Sequence, residues 1–376
     1  MKITDIDCTV IYARRNTAFG RVTRTALGPA SISEHALVRV QTDAGVTGLG
    51  EVCSVFEKKG RDYAEEINQK LAERLIDEDP FELTRHLTLM ESLLPDSQPA
   101  HAAIDMALHD IVGKALDTPV YTLLGGIVRE RIPLSYSIPF GTPDEMAGFA
   151  EARVAEGFRT VKVKIGQSHE RDVEAVRRVR EAVGDQVRVR VDANMSFSDV
   201  ESALRTVTEI EAFDPELLEQ PVKPRELGAM AQIRAAVNVP IMADESIWSP
   251  ADAMAVIETG AADIANVYVA ESGGLQNARR IFDVCELAGM PCMIGSMPEL
   301  GIGTAAHVHL GIAMRNLKLD SDCCGARYHI DELLSEPLKV DDGYAYAPTG
   351  PGLGVEVDEE AVERLRVEPS IEGEDL

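Results

Sequence analysis

The sequence predicts an α/β protein, a (β/α)8-type barrel with an N-terminal α+β capping domain that the C-terminal segment completes. Three observations carry this prediction. From Ile132 onward, short apolar strands alternate with amphipathic helices at a period of roughly 25 to 30 residues. Before that point the chain reads as a meander of strands followed by helices. No glycine-rich phosphate fingerprint follows an early strand, which weakens the runner-up, a doubly wound open sheet that binds a nucleotide.

The first strand is expected over residues 3–12, followed by a loop of small residues over 14–33. Two further strands, 36–42 and 46–52, flank the turn Asp43-Ala44-Gly45. The clearest helix spans 98–116, where Ile104, Ala107, Leu108, Ile111, Val112 and Ala115 recur on one face. Gly125-Gly126 ends this region, so the capping domain is expected over 1–127. The barrel is expected over 128–342, with strands at 134–139, 160–165, 187–191, 217–220, 240–243, 264–269, 291–294 and 317–320. Residues 343–376, rich in Gly, Pro and acid, are expected to pack back on the capping domain and to end in a solvated tail over 371–376.

The chain has 376 residues, 45% of them hydrophobic, enough for two domains with substantial cores. No apolar run reaches the roughly 18 residues of a membrane span, and the opening MKITDIDCTV lacks the basic-then-apolar order of a secretory signal. A cytoplasmic protein is expected. The six cysteines show no paired metal-type spacing and are read as free thiols. Acidic residues outnumber basic ones 63 to 37, for a formal net charge of -26. Such a surface repels nucleic acid and anionic membranes, so neither is an expected partner. Few of the basic residues are lysines, a balance suited to a halophilic setting where dense counterions screen the self-repulsion.

Three of the expected strands end in a carboxylate: Asp192 in Val-Asp-Ala-Asn, Glu219 in Leu-Glu-Gln-Pro and Asp244 in Ala-Asp-Glu-Ser. In a barrel the ends of successive strands converge. Three anions meeting there repel unless a cation neutralises them, and hard oxygen ligands with room left for substrate suit Mg²⁺ or Mn²⁺. One acid just past a strand is commonly a helix cap or a solvated loop residue; three on successive strands favour a metal site. One strand earlier, Lys162 and Lys164 lie two residues apart and point to the same side. Two ammonium groups held together depress each other's pKa, so one can be neutral and act as a base. Lys164, nearer the carboxyl end, is the expected base, with Lys162 supporting it and touching the substrate carboxylate.

These segments together resemble the enolase superfamily and, within it, the muconate-lactonizing subgroup with its Lys-x-Lys strand. The likeness spans nearly the whole chain: VTGLGE at 46–51, AIDMALHDIVGK at 103–114, LLGG at 123–126, the lysine strand, the three acids, SGGL at 272–275 and PGLG at 351–354. The resemblance implies a small-molecule carboxylate substrate and a loop near 14–33 that closes over the barrel mouth. It also implies Mg²⁺-assisted removal of the proton alpha to the carboxylate through an enediolate. Substrate contacts are expected at Asn194, Glu299, Asp320 and Asp322, and a homo-oligomer is expected.

The pattern departs from the family at one informative position. The second base of the family is a lysine on the sixth strand, about five residues before the paired glycines, and here Tyr268 takes its place. A phenol with a reference pKa of about 10 donates a proton or hydrogen bond more readily than it serves as a base. Tyr268 is therefore kept as a catalytic candidate in that role. The histidine of the mandelate-racemase subgroup would fall near Gly295, where none is found. One-face chemistry by Lys164 follows, either a muconate-cycloisomerase-like reaction or a syn dehydration. The alternatives are a racemase or epimerase of an amino acid derivative or dipeptide, in which Asp320 and Asp322 hold an ammonium group, and a non-catalytic binding protein on the same fold. His307 and His309 share no helix face and are read as structural.

Overall fold

The computed structural model describes residues 1–16, 18, 23–25 and 28–368. Part of the 14–33 loop and the whole 371–376 tail lie outside the described residues.

Three antiparallel strands open the chain, β1 (Ile3–Arg14), β2 (Ile32–Thr42) and β3 (Thr47–Cys53), in that spatial order. The residues expected to begin and end the loop are strand instead, because β1 and β2 stay paired out to Arg14 and Ile32. The sheet packs on helix α1 (Gln98–Ala115), whose Ile104, Ala107, Leu108 and Ile111 share a core with Val38 and Val40. The approach is close because Gly48 and Gly50 lie in it: a Cβ at either would stand 2.0 or 1.9 Å from the carbonyl oxygen of Ala107 or Ala103.

The same helix gathers the distant segments singled out in the sequence. Asp105 Oδ2 accepts from the Leu275 amide at 2.6 Å, while Asp110 accepts from the amides of Leu49 and Leu353 at 2.9 and 2.8 Å. Buried carboxylates satisfied by backbone amides thus tie the capping sheet, a barrel helix and the C-terminal segment to one element. Glu51 adds a second tie, accepting from the Leu300 and Gly303 amides at 2.6 and 2.9 Å at the start of a later helix.

The central element is a seven-stranded parallel sheet whose strands follow sequence order. They are β4 (Ser135–Ile138), β5 (Thr160–Lys164), β6 (Arg188–Asp192), β7 (Leu218–Glu219), β8 (Ile241–Ala243), β9 (Ile264–Val267) and β10 (Cys292–Ile294). Helices join successive strands; the first, α2 (Pro143–Ala155), starts at a capping box formed by Thr142 and Glu145. Strand order without reversal gives a curled half-barrel, not a doubly wound sheet. The eighth strand expected at 317–320 is reduced to two bridges, Cys292 with Leu317 and Leu134 with Ser321. Ladder bonding is broken there because the Ile294 amide donates to the Ser321 hydroxyl, at 3.1 Å, instead of to a carbonyl. The segment still bonds to both edge strands, through Lys318 N to Cys292 O and Ser135 N to Ser321 O, each 3.0 Å.

Helix Gly301–Ala313 buries His307 and His309 completely. His309 hydrogen-bonds Leu353 O at 3.0 Å, and burial lowers its pKa to about 4, so both histidines belong to the packing. The short helix Glu359–Leu365 returns to β1, with Arg39 reaching Glu359 at 2.9 Å. No described helix is long and apolar enough to cross a membrane, and all six cysteines are free.

Candidate active site

Consecutive strand ends deliver the predicted charges. Asp192 and Glu219 are the last residues of β6 and β7 and stand in register, and Asp244 follows β8 by one residue. All three are buried. Gln220, turned to φ +33°, staples the neighbouring ends: its Oε1 accepts from the Asp244 amide at 2.9 Å and its Nε2 donates to the Ser246 hydroxyl at 2.8 Å. On β5, Lys164 is the register partner of Asp192. Its Nζ lies 2.5 Å from Asp192 Oδ2 and 2.7 Å from Asn194 Oδ1. Lys162 Nζ lies 2.6 Å from Asp322 Oδ2, 3.1 Å from Glu219 Oε2 and 3.5 Å from Asp192 Oδ2.

The acids around Lys162 outweigh its neighbouring lysine. Burial works against the Lys162 charge, but the carboxylates of Asp322, Glu219, Asp192 and Asp244 outweigh it and hold its pKa well above the ordinary lysine value. A neighbouring lysine does not decide the matter where four acids face the same ammonium. Burial also works against the Asp192 charge, yet Lys164 and Lys162 keep its pKa below the usual carboxylate value. Glu219 and Asp244 move the other way: burial, then nearby carboxylates, raise both, Asp244 strongly.

Two acids that sequence reasoning passed over join this group. Burial and neighbouring carboxylates raise Glu245 to about 7 and push Glu271 well above its usual value. Glu245 directly follows Asp244, and Glu271 directly precedes Ser272-Gly273-Gly274, so both sat beside segments already singled out. Asp244 Oδ1, Glu245 Oε2 and Glu271 Oε2 are buried with no hydrogen-bond partner. Among the described residues no three ligand-type side chains stand in finished metal geometry, since both ammonium groups reach in among the acids. The donor set is nonetheless all carboxylate oxygen, and the orphaned Asp244 Oδ1 within it fits a hard cation such as Mg²⁺.

Tyr268, just past β9, is buried and donates its hydroxyl to Asp244 Oδ2 at 3.0 Å. Burial, with Asp244 and Glu219 behind it, raises its pKa well above the ordinary phenol. Its ring rests on Gly295, where a Cβ would stand 2.2 Å from Tyr268 Cζ. The absent histidine and the tyrosine are therefore one feature: the ring needs the space that a side chain at 295 would fill.

A cavity of about 1000 Å³ opens over this cluster, lined by Lys162, Lys164, Asn194, Asp244, Tyr268 and Asp322 among others. Residues from the rim of the 14–33 loop, Arg15, Asn16 and Ser31 to Ser33, line its far side. Two of the expected substrate contacts are not presented to it. Asp320 lies at the opposite end of the sheet, accepting from Thr160 Oγ1 at 2.7 Å and pairing with Arg188, because two residues of extended chain separate it from Asp322 on the same side. Glu299 turns behind the wall, where it accepts from the Ser296 hydroxyl at 2.5 Å and the Met297 amide at 2.9 Å.

Comparison with known proteins gives a consistent picture. Residues 8–125 match the model of the mandelate racemase / muconate lactonizing enzyme N-terminal domain, and residues 145–361 match the enolase C-terminal domain-like model. The chain is 32% identical to an L-Ala-D/L-Glu epimerase of Clostridium acetobutylicum, over 89% of this chain and 94% of the relative. It is 33% identical to muconate cycloisomerase 1 of Rhodococcus opacus, over 87% and 89%. Its structure matches the muconate lactonizing enzyme of Pseudomonas fluorescens, solved with muconolactone, at a TM-score of 0.92 and 28% identity over 96% of this chain and 98% of that one.

Proposed function

The chain belongs to the mandelate racemase / muconate lactonizing enzyme family of the enolase superfamily, and from that premise we propose that it removes the proton alpha to a substrate carboxylate with Lys164 as base. It is an enzyme, as its cycloisomerase and epimerase relatives are, which sets aside a binding-only protein on this fold. Asp192, Glu219 and Asp244 would hold Mg²⁺, or Mn²⁺, whose charge when bound supports the carboxylate as negative charge develops on it. Lys162 hydrogen-bonds the same carboxylate. Lys164, positioned by Asn194 and Asp192, takes the proton and works on one face of the reacting carbon. Asp322 lines the cavity beside Lys162 and contacts the substrate from there.

The observation that carries one-face chemistry is Tyr268. Four strands from the lysines in the sheet order, a hydroxyl bonded to Asp244 occupies the place where a two-base enzyme needs a second base. This favours a muconate-cycloisomerase-like reaction or a syn dehydration. A second reading, epimerisation of an amino acid derivative or dipeptide, is supported by Asp322, Glu245 and Glu271, carboxyl groups on the cavity wall suited to an ammonium group.

The test is incubation with Mg²⁺ in D₂O and pooled muconates, hydroxy acids, N-acyl amino acids and dipeptides, followed by mass and chiral analysis. An isobaric product or loss of water is expected; inverted, deuterated substrate would replace the one-face reading by the epimerase.

The same proposal takes residues 317–320 as the eighth stave of a closed barrel, 1–127 as the cap and 343–376 as the segment that completes it. It places the enzyme in the cytoplasm of a cell rich in salt, as a homo-oligomer. Sedimentation in low and in molar potassium chloride checks the assembly.

A further inference from the structure

Asn194 stands between two charged groups, and the way its amide points decides what Lys164 can do. The root of the side chain is fixed. Asn194 lies two residues beyond β6 with φ at +39°, and its backbone N–H donates to Asp192 Oδ1 at 2.8 Å. Met195, at φ +63°, donates to Gln220 O, also at 2.8 Å. Left-handed backbone is tolerated by asparagine better than by most residues, and it persists where the surroundings over-determine it. What remains free is the turn about the last side-chain bond, which for asparagine is broad and roughly two-fold. One orientation puts Oδ1 toward Lys164, and the other puts Nδ2 there.

Glu245 removes that choice. It lies two residues beyond β8, and its Oε1 accepts from Asn194 Nδ2 at 3.2 Å, a bond that reaches across the end of β7. A carboxylate only accepts, so Nδ2 belongs to Glu245 and Oδ1 to Lys164, at 2.7 Å. The orientation matters because of what a neutral amine offers. As a base Lys164 carries two N–H bonds and one lone pair. Asn194 Oδ1 at 2.7 Å and Asp192 Oδ2 at 2.5 Å accept the two N–H bonds, which leaves the lone pair for the proton of the substrate. With the amide reversed, Nδ2–H would donate into that lone pair and the base would be occupied.

We propose that Glu245 is a positioning residue: by accepting from Asn194 Nδ2 it fixes the amide with Oδ1 toward Lys164, which keeps the Lys164 lone pair open to the substrate. The inference deepens the proposed function and rests on Lys164 being the base. Glu245 acts through Asn194 alone, and its second carboxylate oxygen, which has no hydrogen-bond partner, takes no part in this role.

Carbamylation by cyanate tests this without a substrate, because the neutral amine attacks cyanate through the same lone pair. Peptide mass spectrometry of the full-length, Mg²⁺-loaded protein reads the rate at Lys164 against that at the exposed Lys223. Glu245→Ala is expected to slow the reaction of Lys164 about tenfold, the worth of one hydrogen bond made to the lone pair. In an Asn194→Ala background the same substitution should change nothing, since no amide is left to turn. Glu245→Gln, whose amide both accepts and donates and so admits either orientation, should slow it about twofold and serves where the alanine variant does not fold. A purely electrostatic role has the opposite sign: removing a neighbouring anion favours the neutral amine, and the reaction would quicken. Unchanged or faster carbamylation in Glu245→Ala, or equal slowing with and without Asn194, overturns the positioning role and leaves Lys164 as the base. That reading falls separately, if proton exchange survives Lys164→Ala.

Discussion

The two ends of the parallel sheet treat charge in opposite ways. At the amino ends of the strands each carboxylate has a cation: Asp320 pairs with Arg188, Glu216 accepts from Arg190 Nε at 2.6 Å, and Asp263 accepts from Arg234 Nε at 2.7 Å. At the carboxyl ends, Asp244, Glu245 and Glu271 each keep a buried oxygen without a partner, and their pKa values are raised. The amino end is built for stability and the carboxyl end holds charge ready for something to bind, the division of labour common to barrel enzymes. Substitutions at the two ends should therefore separate activity from stability.

The largest effect is expected at the carboxyl end. Lys164→Ala should slow α-proton exchange by about 10²- to 10⁴-fold, the usual worth of a positioned base, with the thermal midpoint nearly unmoved. Exchange into solvent, followed by NMR in D₂O, reads this directly, and undiminished exchange removes Lys164 from its role. The counterpart at the other end is Arg190→Met. Arg190 is fully buried and also donates to Asp320 O at 2.7 Å. Breaking its pair should cost about 3 kcal/mol, the lower part of the usual range, because Glu216 keeps Arg188 at 3.4 Å. Urea unfolding measures the cost; turnover per folded molecule should stay close to wild type.

Binding at the carboxyl end should reverse the sign of its contribution. Mg²⁺ at a hundred times its dissociation constant is expected to add about 2.7 kcal/mol of stability, and chelation should remove both this and proton exchange reversibly. Asp244→Asn should abolish the gain while leaving the metal-free fold intact. A somewhat smaller effect is expected from Gly295→Ala, which brings a methyl group against the Tyr268 ring. Overpacking of this kind costs about 1 to 3 kcal/mol, and here turnover should fall as well, because the ring must leave Asp244. A stable, active Gly295→Ala enzyme would show that Tyr268 has no fixed place in the site.

How much of this was legible in the sequence follows the same division. Asp192, Glu219 and Asp244 could be read because each marks a strand end, and strand ends in a parallel sheet meet without further information. Lys162 and Lys164 could be read because alternation along a strand fixes a shared side. Glu245 and Glu271 were missed because each sits one residue beside a recognised segment, and only burial distinguishes it from a solvated acid. The eighth strand expected at 317–320 is instead two isolated bridges, where a serine side chain, whose role depends on the partner strand, takes a ladder bond.

The smallest effects provide the sharpest comparison, because they come from one Asp-x-Asp motif. Asp322 contacts Lys162 at 2.6 Å and accepts from the Ser135 hydroxyl, whereas Asp320, two residues earlier, pairs with Arg188 and Thr160. Asp320→Asn removes charge from a partly exposed pair and should cost about 1 kcal/mol of stability with kcat/KM unchanged. Asp322→Asn should leave stability within about 1 kcal/mol and lower kcat/KM about tenfold, the scale of a hydrogen bond to a charged group. Equal effects from the two would mean that position along the strand does not sort the charges, and the contrast between the two ends of the sheet would fail at its most closely matched pair.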